Sequence, residues 1–376
     1  MPASAISVPL ADPSAENALL RTEILSAITR TVDGKSYILG PEVTAFEKAM
    51  SRDLWREDGK IVGVGSGTDA LVLSLIALGI GLGDEVVTVS HTAGPSVAAI
   101  LVTGATPVLV DVDEETFCIC PRAVEAAIGP RTKAILVVHL YGHPAEMDGI
   151  IAIAAKREIA VVEDCAQAQG ARHRDRAVGT IGAAGCFSFY PTKNLGAIGD
   201  GGAITARDMS IVERVRSLRV YGWREPQYAE IPRGRCSRLD EIQAAILSVK
   251  LPHLSQSIER RRALAGLYRS RLSGLPIRLP VEKAQCWHTY HLFVIQAEDR
   301  DALAAHLAAN GIATGRHYPF PAHLQPALVA GSRMPQPLTV TERLSARILS
   351  LPLFTTMTDG QLEHVATTMR AYYANS

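Results

Sequence analysis

Short β-branched runs that alternate with helical patterns constrain the fold of this chain more than any other feature. Apolar runs too short for helices recur at 60–64, 85–90, 107–112, 134–139, 159–163, 186–189 and 202–205. Helical patterns lie between them, near 68–78, 94–103, 121–128 and 147–156. This alternation predicts an α/β fold built on a mostly parallel, seven-stranded sheet with helices on both faces.

The pattern changes after residue 250. A helix over 240–250 is followed by a proline and then by a long polar helix over 255–273. Beyond it, one strand candidate at 290–296 is followed by helical patterns at 300–309, 340–348 and 359–373. We therefore expect a large domain over residues 1–250 and a smaller α+β C-terminal domain over residues 251–376.

One lysine, Lys193, lies between a short aromatic strand and a glycine-dense turn that runs to Ala203. An exposed lysine amine has a pKa of about 10.4 and is a poor nucleophile, whereas burial lowers that pKa and makes Schiff-base chemistry possible. The glycines let the backbone pass close to a bulky planar ligand. The alternative is a solvated lysine beside a flexible loop.

A carboxylate that matches this lysine lies upstream. Asp164 is placed where the strand over 159–163 ends, and the carboxyl ends of strands are where open α/β sheets bind ligands. A Schiff-base lysine combined with an aspartate partner for a pyridine nitrogen is the signature of pyridoxal phosphate. Gln167 is placed to donate to the phenolic oxygen of that cofactor. The alternative for Asp164 is to cap the next helix.

A glycine turn between a strand and an apolar helix predicts a phosphate site. Gly67 and Thr68 open the helix, where free N–H groups and the helix dipole favour an anion, and Ser188 is a further donor from the lysine segment. No lysine follows the glycines and the third glycine of the dinucleotide fingerprint is missing, so the turn fits neither nucleotide motif. An ordinary N-cap by Ser66 or Thr68 is the alternative.

These blocks resemble the DegT/DnrJ/EryC1/StrS family of sugar aminotransferases, which have the aspartate-aminotransferase (type I) fold. The resemblance spans nearly the whole chain in order. The matching blocks are 65–71, 162–170, 188–196, 237–246, 311–323 and 349–353.

The resemblance implies a role for each matched residue. Lys193 would carry the cofactor as a Schiff base, Asp164 would hold the pyridine nitrogen and Gln167 the phenolic oxygen. The Gly67 amide, Thr68 and Ser188 would bind phosphate, and His91 would stack on the ring. The family also implies that the N-terminal segment packs with the small domain and that active sites form at a homodimer interface.

One segment departs from the family pattern. Relatives carry an asparagine that reaches the phosphate across the dimer, and this chain has Cys236 there. A thiol is a weaker donor than an amide, so this contact is in doubt. Arg235 next to it is a candidate replacement through a charge-assisted bond.

The blocks look most like members that use glutamate to aminate a dTDP-3-keto-6-deoxyhexose at carbon 3. Members that aminate carbon 4 of UDP- or GDP-linked sugars are the close alternative, and a cyclitol or another ketone without a nucleotide is a third. A non-catalytic regulator is disfavoured because Lys193 and Asp164 are both present. Candidate contacts to the substrate are Tyr190, Tyr221, Arg238, Arg316, His317, Tyr318 and His323.

Charge and cysteine content limit the partners, metal sites and cellular location that the chain is expected to have. The 38 basic and 38 acidic residues balance, so no global charge attracts nucleic acid. The six cysteines contain no C-x-x-C pair, which argues against a metal site and favours free thiols in a reducing cytoplasm. No basic and apolar leader is present, and the longest apolar run is shorter than the roughly 20 residues of a membrane span. We expect a cytoplasmic enzyme without metal, nucleic acid or membrane partners.

Overall fold

The structure, a computed structural model, describes residues 8–374. Its centre is one sheet of seven strands. The strand bounds agree with the predicted runs to within two residues. They are β1 Ile61–Val64, β2 Glu85–Val89, β3 Thr106–Val110, β4 Thr132–Val138, β5 Ala160–Asp164, β6 Ala184–Ser188 and β7 Gly202–Thr205. Across the sheet the strands follow the order β1-β7-β6-β5-β4-β2-β3.

The sheet is mostly parallel, as predicted. Strands β3, β2, β4, β5 and β6 pair in parallel, whereas β7 runs antiparallel to both of its neighbours, β6 and β1. Since β7 alone is reversed, the other six strands end at the same edge. Loops that follow them therefore meet there, which is where such sheets bind ligands.

Both faces of the sheet are covered by helices, which explains the uninterrupted apolar runs. In β4, Ala134 and Leu136 join one apolar cluster while Ile135 and Val137 join another. Successive side chains of a strand point to opposite faces, so a strand buried on both sides needs apolar residues throughout.

Most helices of the N-terminal two thirds pack on this sheet. The helices of this part are α1 Pro13–Leu19, α2 Arg21–Val32, α3 Pro41–Trp55, α4 Gly67–Ala77, α5 Gly94–Val102, α6 Pro121–Ala127, α7 Met147–Arg157, α8 Met209–Leu218 and α9 Glu241–Lys250. Helices α1, α2, α3 and α8 were not predicted. Their sequences are more polar than those of α4 and α5, because few of their residues are buried: α1 buries none and α2 buries only Ile24, Ala27 and Thr31.

The C-terminal part has its own small sheet and apolar cluster. It contains α10 Leu254–Arg271, β8 Phe293–Gln296, α11 Arg300–Ala309, α12 Pro326–Val329, α13 Thr339–Arg347, β9 Ile348–Leu351 and α14 Asp359–Ala374. Strand β9 pairs antiparallel with β8, and the helix predicted over 340–348 ends where β9 begins. Val8 bridges to Ile312 and joins the same apolar cluster. The division into domains at residue 250 remains a proposal.

The remaining elements are short. Two-stranded and three-stranded ribbons are formed by Arg172–His173, Arg176–Ala177, Trp223–Glu225, Tyr228–Ala229 and Cys286–Trp287. Single 3₁₀ turns occur at Leu140–Gly142, Leu251–His253 and Ala322–Leu324. Across residues 8–374 no helix has both the length and the apolar character needed to cross a membrane.

Candidate active site

Segments that follow different strands meet at the carboxyl edge of the sheet. His91 follows β2, Tyr141 follows β4, Asp164 is the last residue of β5 and Ser188 the last residue of β6. The backbone N–H of His139 donates to the Asp164 carbonyl at 3.1 Å, which ties the ends of β4 and β5 together. The sequence-predicted cofactor residues therefore lie along one edge.

The loop that carries Lys193 is held by its own backbone. The Lys193 N–H donates to the Tyr190 carbonyl at 2.8 Å, and the Ala197 N–H donates to Phe189 at 2.8 Å. Phe189 is fully buried, and the Lys250 ammonium donates to the Gly196 carbonyl at 2.7 Å. The lysine thus stands on a fixed turn rather than on a flexible loop.

Lys193 and Asp164 influence each other's ionisation. Burial of the amine lowers the pKa of Lys193 from 10.5 to about 8, against a smaller opposing effect of Asp164. Burial raises the pKa of Asp164, and bonds from Ser96 and Ala166 together with the charge of Lys193 oppose that rise. An amine with a pKa near 8 and a buried carboxylate are what Schiff-base chemistry on a pyridine ring needs.

Asp164 is oriented by a residue that the sequence analysis missed. The Ser96 hydroxyl, on the first turn of α5, donates to Asp164 Oδ2 at 2.8 Å, and the Ala166 N–H donates to Oδ1 at 3.1 Å. Ser96 is 1 % exposed and also bonds to Thr92 Oγ1 at 2.9 Å. The sequence gives no signal for this contact, because two strands and two helices separate the two residues along the chain.

The glycine turn packs directly against the end of β6. A Cβ atom added to Gly67 would lie 2.5 Å from the Ser188 Cβ, so only glycine fits there. Ser66 is the N-cap of α4 and accepts from the Asp69 N–H at 3.1 Å, as the alternative reading proposed. Capping by Ser66 leaves Gly67, Thr68 and Ser188 together at the helix N-terminus, where an anion is favoured.

Residues 235–238, which differ from the family pattern, hold the glycine turn in place. The Ser237 hydroxyl donates to Asp69 Oδ2 at 2.8 Å and accepts from the Gly65 N–H at 3.0 Å. Arg235 pairs with Asp69 at 3.3 Å. The exposed Cys236 thiol accepts from Arg238 at 3.0 Å. Arg235 therefore lies close to the phosphate turn, already paired with a carboxylate.

His91 and Gln167 meet at Tyr141, another residue that the sequence analysis did not single out. His91 Nε2 lies 2.9 Å from the Tyr141 hydroxyl, and the Tyr141 N–H donates to Gln167 Oε1 at 2.7 Å. The Gln167 amide donates to the Tyr318 hydroxyl at 2.7 Å. Burial lowers the pKa of His91 to about 4, so its ring is neutral at pH 7.

A cavity of about 250 Å³ brings some of the substrate candidates to the lysine. Tyr190, Lys193, His317 and Tyr318 line it together with Gln167. Burial lowers the pKa of His317 to about 4 and raises that of Tyr318 to about 12. Both side chains are therefore neutral at pH 7, and they suit sugar hydroxyls better than phosphates.

The other substrate candidates lie outside this cavity. Arg316 pairs with Asp301 at 2.5 Å, and His323 bonds to the Ser90 hydroxyl at 2.7 Å. Arg238 donates to the Cys236 thiol at 3.0 Å, and interaction with that thiol raises the pKa of Tyr221. Within one chain the structure does not bring these four residues to Lys193.

The residues at the sheet edge fit pyridoxal phosphate. The Lys193 amine has the lowered pKa that Schiff-base formation needs, Asp164 is a buried carboxylate, and the close approach of Gly67 to Ser188 leaves a helix N-terminus open to a phosphate. The roles of the individual residues toward the cofactor remain proposals.

Comparisons with known proteins agree with this site. Residues 19–370 match the model of the DegT/DnrJ/EryC1/StrS aminotransferase family. A dTDP-3-amino-3,4,6-trideoxy-alpha-D-glucose transaminase of Streptomyces venezuelae is 47% identical over 348 residues, which are 92% of this chain and 91% of the relative. A UDP-N-acetyl-3-dehydro-alpha-D-glucosamine 3-aminotransferase of Acidithiobacillus ferrooxidans is 44% identical over 364 residues, 97% of each chain.

A solved structure gives the same picture at the level of the fold. The crystal structure of DesV from Streptomyces venezuelae, in complex with a ketimine intermediate, superposes with a TM-score of 0.94 at 45% sequence identity. The match covers 98% of each chain. The α/β architecture predicted from the sequence is thus confirmed by a related protein.

Proposed function

The chain belongs to the DegT/DnrJ/EryC1/StrS aminotransferase family, and from that membership we propose that it uses pyridoxal phosphate to aminate a sugar nucleotide. The donor is glutamate and the acceptor a dTDP-3-keto-6-deoxyhexose. The observation that carries the proposal is the Lys193 amine, whose pKa is lowered to about 8 by burial at the sheet edge that Asp164 shares.

Pyridoxal phosphate, when bound, supplies a carbonyl carbon that takes up the amine and a ring that accepts an electron pair. Lys193 would hold the cofactor between turnovers, and its amine would be free once the donor amine is bound there. The free Lys193 amine would then serve as the base that takes the proton from the donor's alpha carbon. Asp164 keeps the ring nitrogen protonated, and the Gly67 amide, Thr68 and Ser188 hold the phosphate.

The acceptor half of the reaction reverses these proton movements on a keto sugar. Lys193 then returns the proton to the sugar carbon that receives nitrogen. Tyr190, His317 and Tyr318 line the cavity beside that lysine and are the proposed sugar contacts. Neutral hydroxyl and imidazole groups can donate to a sugar carbonyl without a competing charge.

Carbon 3 is favoured over carbon 4 as the site of amination. The names of both relatives described above place the nitrogen at carbon 3, although one carries dTDP and the other UDP. A UDP-linked 3-keto sugar is therefore the second candidate acceptor, since the second relative matches 97% of this chain. Neither of these two names points to amination at carbon 4.

The working form is proposed to be a homodimer with the active sites at the interface. Exposed apolar residues surround α9, next to the lysine loop: Val32, Tyr37, Ile38, Ile198 and Ile242. Gln243 of α9 bonds to the Ile198 N–H at 2.9 Å, which fixes this apolar surface to the site. Exposed apolar patches of this kind mark protein interfaces.

We place the enzyme in the cytoplasm. All six cysteines are unpaired in the structure, as expected in a reducing compartment.

The first test is the visible absorbance of the purified protein with pyridoxal phosphate, before and after glutamate. A yellow band that gives way to the band of the aminated cofactor would support cofactor, lysine linkage and donor together. A band that glutamate leaves unchanged would support pyridoxal phosphate as the cofactor but rule out glutamate as the donor. No band would reject the proposed function.

The acceptor is tested in the direction that starts from the amino sugar. Enzyme, 2-oxoglutarate and either a dTDP-3-amino-3,6-dideoxyhexose or a UDP-3-amino sugar are mixed, and glutamate formation is measured. We expect a kcat/KM at least about 100-fold higher for the dTDP sugar, equivalent to roughly 2.7 kcal/mol. The opposite preference would select the second candidate, and a dTDP-4-amino sugar serves as the positional control.

A further inference from the structure

One buried hydroxyl joins the two sides of the site. The Tyr141 hydroxyl donates to the His317 carbonyl and lies 2.9 Å from His91 Nε2. His91 is the proposed ring contact, and residues 317–318 line the cavity proposed for the sugar. Tyr141 is 2 % exposed, so water does not compete for these bonds.

The direction of each bond follows from the number of protons available. The Tyr141 hydroxyl has one proton, and the His317 carbonyl can only accept it. The same oxygen must then accept from His91, so the proton of the neutral His91 ring lies on Nε2. His91 Nδ1 is left buried with no partner among the described residues.

The backbone of Tyr141 is held in a conformation that few residues adopt. Its φ of 60° lies in the left-handed region, which is unfavourable for a residue that carries a side chain. Its N–H donates to Gln167 and its carbonyl accepts from the Leu292 N–H at 3.4 Å. Its ring packs edge-on against Phe117, with centroids 5.1 Å apart. Such strain persists where the surroundings fix the residue, often at functional sites.

We propose that Tyr141 is a positioning residue, whose hydroxyl fixes His91 over the cofactor ring and the 317–318 segment at the keto sugar as one hydrogen-bonded unit. This inference rests on the proposed function. Without the hydroxyl, the His91 N–H and the His317 carbonyl would both lose a buried partner. The His91 ring and the 317–318 segment would then be able to move independently of each other.

The test is Tyr141→Phe, which keeps the ring and the backbone bonds and removes only the hydroxyl. We expect the visible circular dichroism of bound pyridoxal phosphate to fall by about half or more, since that signal reports how rigidly the ring is held. We expect the KM of the keto sugar to rise about 10-fold, which corresponds to roughly 1.4 kcal/mol.

Tyr268→Phe is the matched control. The Tyr268 hydroxyl is also buried and donates to a backbone carbonyl, that of Pro352 at 2.9 Å, in the C-terminal apolar cluster. Both variants should lose thermal stability, but only Tyr141→Phe should change the dichroism and the KM. If Tyr141→Phe, like Tyr268→Phe, loses stability but keeps the dichroism and the KM of the wild type, the hydroxyl has only a structural role and the proposal is wrong.

A measurement on the unmodified chain covers the case in which Tyr141→Phe does not fold. In protein with ¹⁵N-labelled histidine, the His91 signals, assigned with a His91→Phe variant, should show a neutral ring protonated on Nε2 at pH 7. Protonation on Nδ1 would overturn the proposal. The dichroism and the ¹⁵N signals need no sugar, so failure of the proposed acceptor would not be mistaken for failure of this inference.

Discussion

At the scale of single residues, Lys193 carries the proposed chemistry because its surroundings leave its ammonium poorly solvated. Replacement by alanine should abolish the yellow band with pyridoxal phosphate and lower turnover by at least about 1,000-fold, since both linkage and proton transfer are lost. Absorbance and steady-state kinetics measure this. Lys48→Ala, which changes an exposed lysine 3.7 Å from Asp58, is the control and should change neither. If Lys193→Ala still turns over, a residue other than Lys193 must act as the base in proton transfer.

The pKa of Lys193 also predicts how stability depends on pH. In the folded protein without cofactor the amine releases its proton near pH 8, whereas the unfolded chain keeps it until about 10.5. Between these values the unfolded state binds more protons, so folding becomes more favourable as pH rises. The urea midpoint of the wild type, relative to that of Lys193→Met, should therefore increase from pH 8 to pH 10. A difference that is constant or falls over this window would show that the amine is not buried as described.

The sequence was sufficient for residues whose type and position both carry chemistry. Lys193, Asp164 and Gly67 each lie at the end of a strand or within five residues after it, so their place at the sheet edge could be inferred from local pattern. Ser96 and Tyr141 could not, because a serine on an apolar helix and a tyrosine after a strand are ordinary in themselves. Their roles depend on partners far away in the chain, Asp164 for Ser96 and His317 for Tyr141.

At the scale of elements, three polar residues of the 237–243 block each hydrogen-bond to a different part of the structure around the site. Ser237 bonds to the glycine turn, and Gln243 bonds to Ile198 in the lysine loop. Glu241 accepts from the N–H groups of Gly40, Glu42 and Val43 at 2.7–3.0 Å, at the start of α3. One short segment thus positions two loops and one helix.

Glu241→Gln should destabilise the fold. Glu241 is 1 % exposed, and its carboxylate accepts from three backbone N–H groups at a helix N-terminus. Replacement of one oxygen by an NH₂ group would place a hydrogen-bond donor opposite at least one of these N–H donors. We expect a loss of about 1–3 kcal/mol, measured by urea unfolding. Glu259→Gln, at an exposed position of α10, should change stability by less than about 0.5 kcal/mol. Equal effects of the two variants would contradict the capping role.

The elements that were predicted well are those buried on two sides. The seven strands were found because burial on both faces makes them continuously apolar, as in β4. Helix α1, with no buried residue, leaves no such trace, and α2 buries only one narrow stripe. The end of α13 was missed by one residue, because Ile348 suits both a helix and the strand β9 that it begins.

At the scale of the whole molecule, the proposed dimer depends on the apolar surface around α9. Ile242→Asp should convert the dimer to monomers at micromolar concentration, because it places an unpaired charge in a surface that would be buried in the proposed dimer. Light scattering after gel filtration measures this. Leu267→Asp on α10 is the matched control, because Leu267 and Ile242 are each 38% exposed. A dimer that survives Ile242→Asp but not Leu267→Asp would move the interface to α10.

The burial of the Lys193 amine has a consequence before the enzyme ever turns over. With a pKa of about 8, about 10% of the molecules carry a free amine at neutral pH, against roughly 0.03% for an ordinary lysine. If Lys193 takes up the vitamin B6 coenzyme as proposed, a newly folded chain would hold the reactive amine about 300 times more often when a coenzyme molecule arrives. The burial that destabilises the protein without coenzyme would then also speed its loading, even where the coenzyme is scarce.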